Sequence, residues 1–133
     1  MKQAPAYERV AAIGAALLCA AVALIHVKDQ GGFPGDKTPG YVGIGYYLLE
    51  AVGVLVAAAL LVRPSRPAWF AAAGIGLGPL AGFVLSRGPG LPEYSDDVGN
   101  WTEPLALLSV GVEAALVALA IAMYMRRRAR LQI

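Results

Sequence analysis

Two glutamates lie inside the most apolar stretches of this 133-residue chain. Glu50 is part of GYYLLEAVGVLVAAALLVRP, and Glu113 is part of LALLSVGVEAALVALAIAMYMRRR. A charged side chain in the middle of a membrane helix costs at least about 2.5–3.5 kcal/mol on insertion scales. Each carboxylate must therefore be protonated, paired with a cation or hydrated, and each of these states could serve a function.

Few other polar side chains can meet these carboxylates. A histidine and an arginine lie at matching ends of two further apolar stretches, and two tyrosines and a serine lie within one helical turn of the glutamates. The predicted polar cluster contains His26, Glu50, Arg87 and Glu113, with hydrogen bonds from Tyr46, Tyr47 and Ser109. One arginine cannot neutralise two carboxylates, so we expect one glutamate to be protonated or to face a bound cation.

The cluster has two main interpretations. As a structural feature, Arg87 would clamp Glu50 and Glu113 and so fix the packing of the helices. As a functional site, the cluster would bind protons, a cation or an amphipathic molecule such as a quinone. A metal ion at His26, Glu50 and Glu113 is a weaker interpretation, because the chain has no ExxH pair of the kind used by di-iron bundles.

Motifs for catalysis are missing from the sequence. We find no GxSxG, no HExxH, no P-loop and no dinucleotide-binding glycine fingerprint. We therefore predict no catalytic residues, no cofactor and no enzyme activity.

The elements that carry the glutamates are predicted to be membrane helices. Hydrophobic residues make up 58% of the chain and charged residues 15%, against about 25% charged residues in ordinary soluble domains. Four apolar stretches are close to the roughly 20 residues that a helix needs to cross a bilayer: residues 8–27, 41–62, 68–86 and 104–125. The sequence thus predicts an all-α membrane protein, a single domain over residues 1–133 with four transmembrane helices in an up-down-up-down bundle.

The basic residues predict the orientation. Eight of the eleven Lys and Arg residues lie on the side of the chain ends and the short RPSRP connection: Lys2, Arg9, Arg63, Arg66, Arg126, Arg127, Arg128 and Arg130. The positive-inside rule then places both termini in the cytoplasm, in a multi-pass protein of a bacterial cell membrane. Trp69 is predicted to mark the inner interface. We interpret the arginine tail as a topology anchor, with a site for anionic lipid as the alternative.

A weak internal repeat places the two glutamates at the same depth. Glu50 precedes Arg63 by thirteen residues, and Glu113 precedes Arg126 by the same number. Each carboxylate would lie roughly 20 Å from its cytoplasmic arginine, at 1.5 Å per helical residue. We therefore expect Glu50 and Glu113 to face each other in the outer half of the bundle.

Glycines at four-residue spacing mark one face of the third helix. Gly74, Gly78 and Gly82 form two overlapping GxxxG steps, which let helix backbones approach closely. We interpret this face as a packing groove within the chain, with a contact between two copies as the alternative.

One resemblance covers most of the chain. The order SRGPGLP, a short acidic loop, Trp101 and then Glu113 in the last helix resembles small four-helix membrane proteins of actinobacteria, a family without an assigned reaction. His26 and Glu50 extend the likeness toward the N-terminus. The resemblance implies the four-helix topology and the grouping of His26, Glu50, Arg87 and Glu113, and it supplies no reaction.

Two classes of function follow from these observations. The first is a small accessory or scaffold protein that packs with itself or with a larger membrane complex. The second is a proton- or cation-coupled carrier, or a binder of a small amphipathic ligand, that uses Glu50 and Glu113. In both classes the bilayer is the main partner, and no nucleic acid is expected.

Overall fold

The computed structural model describes residues 3–133, and within them the chain is all-α. Its helices are α1 (Ala6–Asp29), α2 (Gly40–Val62), α3 (Arg66–Arg87) and α4 (Pro104–Leu131). Each of the four is long and apolar enough to cross a membrane, which confirms the predicted multi-pass membrane fold. Lys2, one of the basic residues used for the orientation, lies outside the described residues.

The helix boundaries differ from the prediction mainly in α4. This helix continues to Leu131, whereas the apolar stretch ends at residue 125. Hydropathy predicts the membrane span but not the end of the helix, and arginine is a good helix former, so the helix continues through the basic tail. At the start of α3, the Ser65 hydroxyl accepts a hydrogen bond from the backbone N–H of Ala68 at 3.2 Å, a normal N-cap.

The four helices form a ring in chain order. Each helix packs against the next one along the chain, and α4 packs back against α1. The connection between α2 and α3 spans only residues 63–65, and so these helices are antiparallel neighbours. The up-down-up-down bundle predicted from the sequence is confirmed.

The two ends of the bundle are packed differently. We call the end with the chain termini and residues 63–65 the terminal end, and the end with residues 30–39 and 88–103 the loop end. Most of the buried apolar side chains lie in the terminal half, including Cys19, Leu60, Trp69, Leu116 and Ala120. The buried acidic and histidine side chains of the predicted cluster lie nearer the loop end.

Helices α3 and α4 pack closely through Gly76, which is not one of the three glycines of the predicted groove. A Cβ added at Gly76 would lie 2.6 Å from Cγ2 of Val117 and 2.7 Å from the carbonyl oxygen of Glu113. The three glycines predicted to form the groove are different, because an added Cβ would meet no neighbouring heavy atom within 4 Å at Gly74, Gly78 and Gly82. The prediction that they pack within the chain is wrong, and a contact between two copies stays a prediction.

Candidate functional site

A cavity of about 340 Å³ lies inside the loop half of the bundle. All four helices and the α3–α4 loop contribute to its wall. Its apolar lining includes Ile25, Leu49, Pro79, Phe83, Leu105 and Val110. Its polar lining includes His26, Asp29, Tyr46, Arg87, Tyr94, Ser109 and Glu113. A mostly apolar cavity with a few polar groups is typical of a site for a small molecule.

The cavity brings together only part of the predicted cluster. Five of the seven predicted side chains line it: His26, Tyr46, Arg87, Ser109 and Glu113. The other two, Glu50 and Tyr47, are not part of its wall. The two glutamates therefore have different surroundings, although they lie at similar positions along their helices.

Glu113 is the deepest acidic group of the cavity wall. Its side chain is 1% exposed, and the Ser109 hydroxyl, one helical turn earlier, donates to its Oε1 at 2.6 Å. Its second oxygen, Oε2, is buried and has no hydrogen-bond partner among residues 3–133. A buried polar atom without a partner is uncommon in folded proteins and calls for an explanation.

His26 has a defined hydrogen-bonding role. Its Nδ1 lies 2.8 Å from the carbonyl oxygen of Val22. A carbonyl only accepts hydrogen bonds, so Nδ1 carries the proton, and in the neutral ring Nε2 is left as an acceptor. The ring also packs edge-on against Tyr46, with 4.9 Å between the ring centroids.

Glu50 supports the α1–α2 loop. Its side chain is 7% exposed, and its Oε2 accepts a long hydrogen bond of 3.4 Å from Nε2 of Gln30. The same Gln30 nitrogen donates to the carbonyl of Gly32 at 2.8 Å. Tyr47 also contacts this loop, since its hydroxyl accepts a hydrogen bond from the backbone N–H of Gly35 at 2.8 Å.

Arg87 pairs with the α3–α4 loop. Its guanidinium lies 3.0 Å from Glu103 and 3.6 Å from Asp97. The predicted clamp of Arg87 on Glu50 and Glu113 is wrong, because the ion pairs of this side chain are made to the loop. Arg87 is the last residue of α3, and from there its side chain can reach acidic groups near water, where an ion pair has a smaller desolvation cost than in the interior.

Two further contacts, one from the α1–α2 loop and one from α2, hold the α3–α4 loop over the cavity. The ammonium of Lys37 lies 3.1 Å from Asp29 and donates to the Tyr94 hydroxyl at 3.4 Å. Tyr41 donates from α2 to the carbonyl of Pro92 at 2.5 Å. The loops therefore cover the cavity from the loop end.

In the loops that cover the cavity, neighbouring charged and polar groups shift the pKa values of Lys37 and Tyr94. Burial of Lys37 opposes its charged form, but the hydrogen bond and the negative charge of Asp29 outweigh burial and raise the pKa of Lys37. Burial of the Tyr94 hydroxyl, together with its hydrogen bond to Asp97, raises the pKa of Tyr94. At neutral pH the cover therefore contains a charged lysine and a neutral tyrosine.

The side of the cavity is open between α2 and α3. Gly45 of α2 and Gly78 of α3 both line the cavity and are both exposed. An added Cβ at either glycine would meet no neighbouring atom within 4 Å. In a membrane this opening faces the lipid, and the missing side chains leave it free.

The described residues contain no group of three His, Cys, Asp or Glu side chains that could hold a metal ion. Of the three metal ligands considered from the sequence, His26 and Glu113 line the cavity, whereas Glu50 does not.

A third buried glutamate, at the terminal end, was not predicted. Glu8 is 1% exposed and accepts hydrogen bonds from Nε1 of Trp69 at 3.1 Å, from Arg127 at 2.7 Å and from Arg130 at 2.5 Å. Trp69 is fully buried and packs inside the bundle, so it does not face lipid there. Its predicted depth, at the level of the inner interface, stays a prediction. The sequence feature that could have indicated the pairing of Glu8 is an acidic residue in the first turn of α1, at the same end of the bundle as the arginine tail.

Comparison of this chain with protein-family models, with curated proteins and with solved structures gives no match. The resemblance to small four-helix actinobacterial membrane proteins therefore stays a prediction.

Proposed function

We propose that this protein binds a small amphipathic molecule within the membrane, in the cavity of the loop half, and that this molecule donates hydrogen bonds to the cavity. The observation that carries the proposal is the 340 Å³ cavity with Glu113 in its wall and one oxygen of that carboxylate without a partner among the described residues. A ligand that donates to this oxygen would remove the cost of burying it.

The need for a donor comes from two buried side chains of the cavity wall, Glu113 and His26. The Glu113 carboxylate accepts at both oxygens when it is ionised, and only Oε1 has a donor, from Ser109. Neutral His26 offers Nε2 as a second acceptor, because Nδ1 bonds to Val22. A hydroxyl or amine group suits these acceptors better than a carbonyl does. Among quinone-type molecules, the reduced quinol is therefore the better fit.

The size and the opening of the cavity agree with a lipid-soluble ligand. Small-molecule sites are commonly about 300–1,000 Å³, and this cavity is at the small end of that range. The opening beside Gly45 and Gly78 gives a path from the lipid that does not require the loops to separate. The apolar body of a ligand would then lie near this opening, with its polar head toward Glu113.

The accessory or scaffold role and the proton- or cation-coupled carrier are the other candidates from the sequence. A dry Arg87 clamp would have favoured the scaffold role, and Arg87 pairs with the α3–α4 loop instead, so this role has less support. A carrier would need a path through the terminal half, where Leu60, Trp69 and Leu116 are fully buried and packed together. Binding without transport is therefore the function that we favour.

Binding of a short-chain benzoquinol to the purified full-length protein in lipid nanodiscs tests the proposal, with the oxidised quinone as the comparison probe. We expect the wild type to bind the quinol more tightly than the quinone. Glu113→Gln should weaken quinol binding about tenfold or more, the loss expected for a hydrogen bond to a charged group. Gly78→Leu should abolish binding by filling the opening.

Two matched variants control this experiment. Gly74→Leu places the same side chain on the same helix, one turn away and outside the cavity wall, and should bind normally. Asp96→Asn removes an exposed carboxylate and should also bind normally. Equal binding by the wild type, Glu113→Gln and Gly78→Leu would contradict the proposal.

We also propose the orientation and location predicted from the charges. The terminal end would face the cytoplasm, and the membrane would be a bacterial cell membrane. The excess of basic residues at the terminal end supports this orientation. Association with a second copy through the open glycines of α3, or with a larger membrane complex, is a further proposal that does not depend on ligand binding.

A further inference from the structure

A second cleft lies at the terminal end, beside the start of α1 and the end of α2. Its volume is about 510 Å³. Three arginines contribute to its lining, Arg9, Arg63 and Arg127, and no acidic side chain does. The cleft is distinct from the cavity of the loop half, which shares no lining residue with it.

Two of these arginines are free to bind an anion. Arg127 is paired with Glu8 at 2.7 Å. Arg9 and Arg63 are exposed, and neither makes a salt bridge with any of the described residues. The cleft therefore holds uncompensated positive charge, and guanidinium groups are well suited to phosphate.

Apart from Gln3, the rest of the lining is apolar, and it continues onto the surface that faces lipid. Ile13, Leu61 and Val62 line the cleft and are largely exposed, and Leu60, which also lines it, is buried. A free phosphate ion would leave this apolar part uncovered. A phospholipid would place its phosphate among the arginines and its acyl chains along the apolar side chains.

We propose that this cleft is a binding site for an anionic phospholipid. The arginines hold the phosphate, and Ile13 and Leu61 contact the first part of an acyl chain. Because anionic headgroups attract basic residues near the membrane surface, the site would anchor the terminal end of α1 and α2 at one leaflet. This inference is independent of ligand binding in the loop half.

Lipid binding to the purified full-length protein, measured by native mass spectrometry, tests the inference. The probes are a short-chain phosphatidylglycerol and the phosphatidylcholine of the same chain length. We expect the wild type to prefer phosphatidylglycerol. The pair Arg9→Gln with Arg63→Gln should reduce this preference by about fivefold for each arginine, the factor expected for one basic residue near an anionic surface.

The matched control is the pair Arg126→Gln with Arg128→Gln. It removes the same charge from the same end of the molecule, but neither residue lines the cleft, and so the preference should persist. An equal loss in both pairs would show diffuse attraction and overturn the site. Inorganic phosphate at the same concentration should not displace the lipid, and full displacement would overturn the assignment to a phospholipid.

If the pair Arg9→Gln with Arg63→Gln does not fold, a measurement on the wild type still tests the site. Phosphatidylglycerol with a photoreactive group near the start of its acyl chain should label Ile13 or Leu61. Labelling confined to other surfaces of the protein would overturn the proposal, whatever the variants do.

Discussion

Gly76 of α3 lies directly against the backbone of Glu113 in α4. A Cβ added at Gly76 would be 2.7 Å from the Glu113 carbonyl oxygen, a distance that real Cβ atoms do not reach. The missing side chain thus lets the two helices approach at the level of the buried carboxylate. The contact fixes the position of Glu113 relative to α3 and to the cavity.

We expect Gly76→Ala to destabilise the protein by about 1–3 kcal/mol, the usual cost of overpacking. Gly74→Ala is the matched control, because its added methyl group meets no neighbouring atom and alanine favours the helix by up to about 1 kcal/mol. Thermal unfolding in mild detergent, followed by circular dichroism, measures both. Equal stability of the two variants would contradict a close α3–α4 contact at Gly76.

Glu8 is expected to contribute to stability at the terminal end. Glu8→Gln keeps the shape of the side chain but removes the charge that meets Arg127 and Arg130. Hydrogen bonds to charged groups contribute roughly 1.5–3 kcal/mol, and we expect a loss in that range. Asp96→Asn, an exposed change, should leave the unfolding temperature unchanged. A loss no larger than that of Asp96→Asn would contradict the role of Glu8.

The fold could be predicted because membrane helices require long apolar stretches, which are easily recognised in the sequence. Apolar stretches of the right length give the helices, and a three-residue connection makes α2 and α3 neighbours. Side-chain pairing was harder to predict, because it depends on the rotation of each helix about its own axis. Glu50 and Glu113 have the same spacing to an arginine, yet Glu50 contacts Gln30 and Glu113 lines the cavity.

The same limitation explains the glycines and Arg87. The GxxxG spacing predicts helix packing on the face of Gly74, Gly78 and Gly82. The close contact between α3 and α4 is instead made at Gly76, on another face of α3. A cavity also cannot be predicted from the sequence, because it forms where the side chains of several helices leave space between them. Arg87 is predicted to point into the interior because no other deep cation is available. In the structure its guanidinium instead pairs with the loop acids Asp97 and Glu103 and donates to the backbone carbonyl of Asn100.

Arg87 should hold the α3–α4 loop rather than the buried glutamates. We expect Arg87→Ala to cost about 1 kcal/mol, since its acidic partners are partly exposed and such pairs are individually weak. Glu50→Gln combined with Glu113→Gln should not restore this loss, because neither residue pairs with Arg87. The stability of the triple variant measures this. Recovery of the wild-type unfolding temperature would instead support the clamp predicted from the sequence.

Labelling of engineered cysteines tests the orientation. Asp96→Cys lies in the loop between α3 and α4, and Ser65→Cys lies in the connection at the opposite end. A membrane-impermeant maleimide applied to intact cells should label Asp96→Cys and spare Ser65→Cys. The native Cys19 is fully buried and provides an unlabelled background. The reverse pattern would place the termini outside the cell.

The open glycine face of α3 gives a test of self-association that is separate from ligand binding. Gly78 lines the cavity and Gly74 does not, although both leave space for a side chain. If two copies meet through this face, Gly74→Leu should convert dimers to monomers in mild detergent while quinol binding and the unfolding temperature are kept. The mass of the protein in native mass spectrometry measures the change. A wild type that is monomeric in lipid nanodiscs would refute the contact, and the open face would then be in contact with lipid alone.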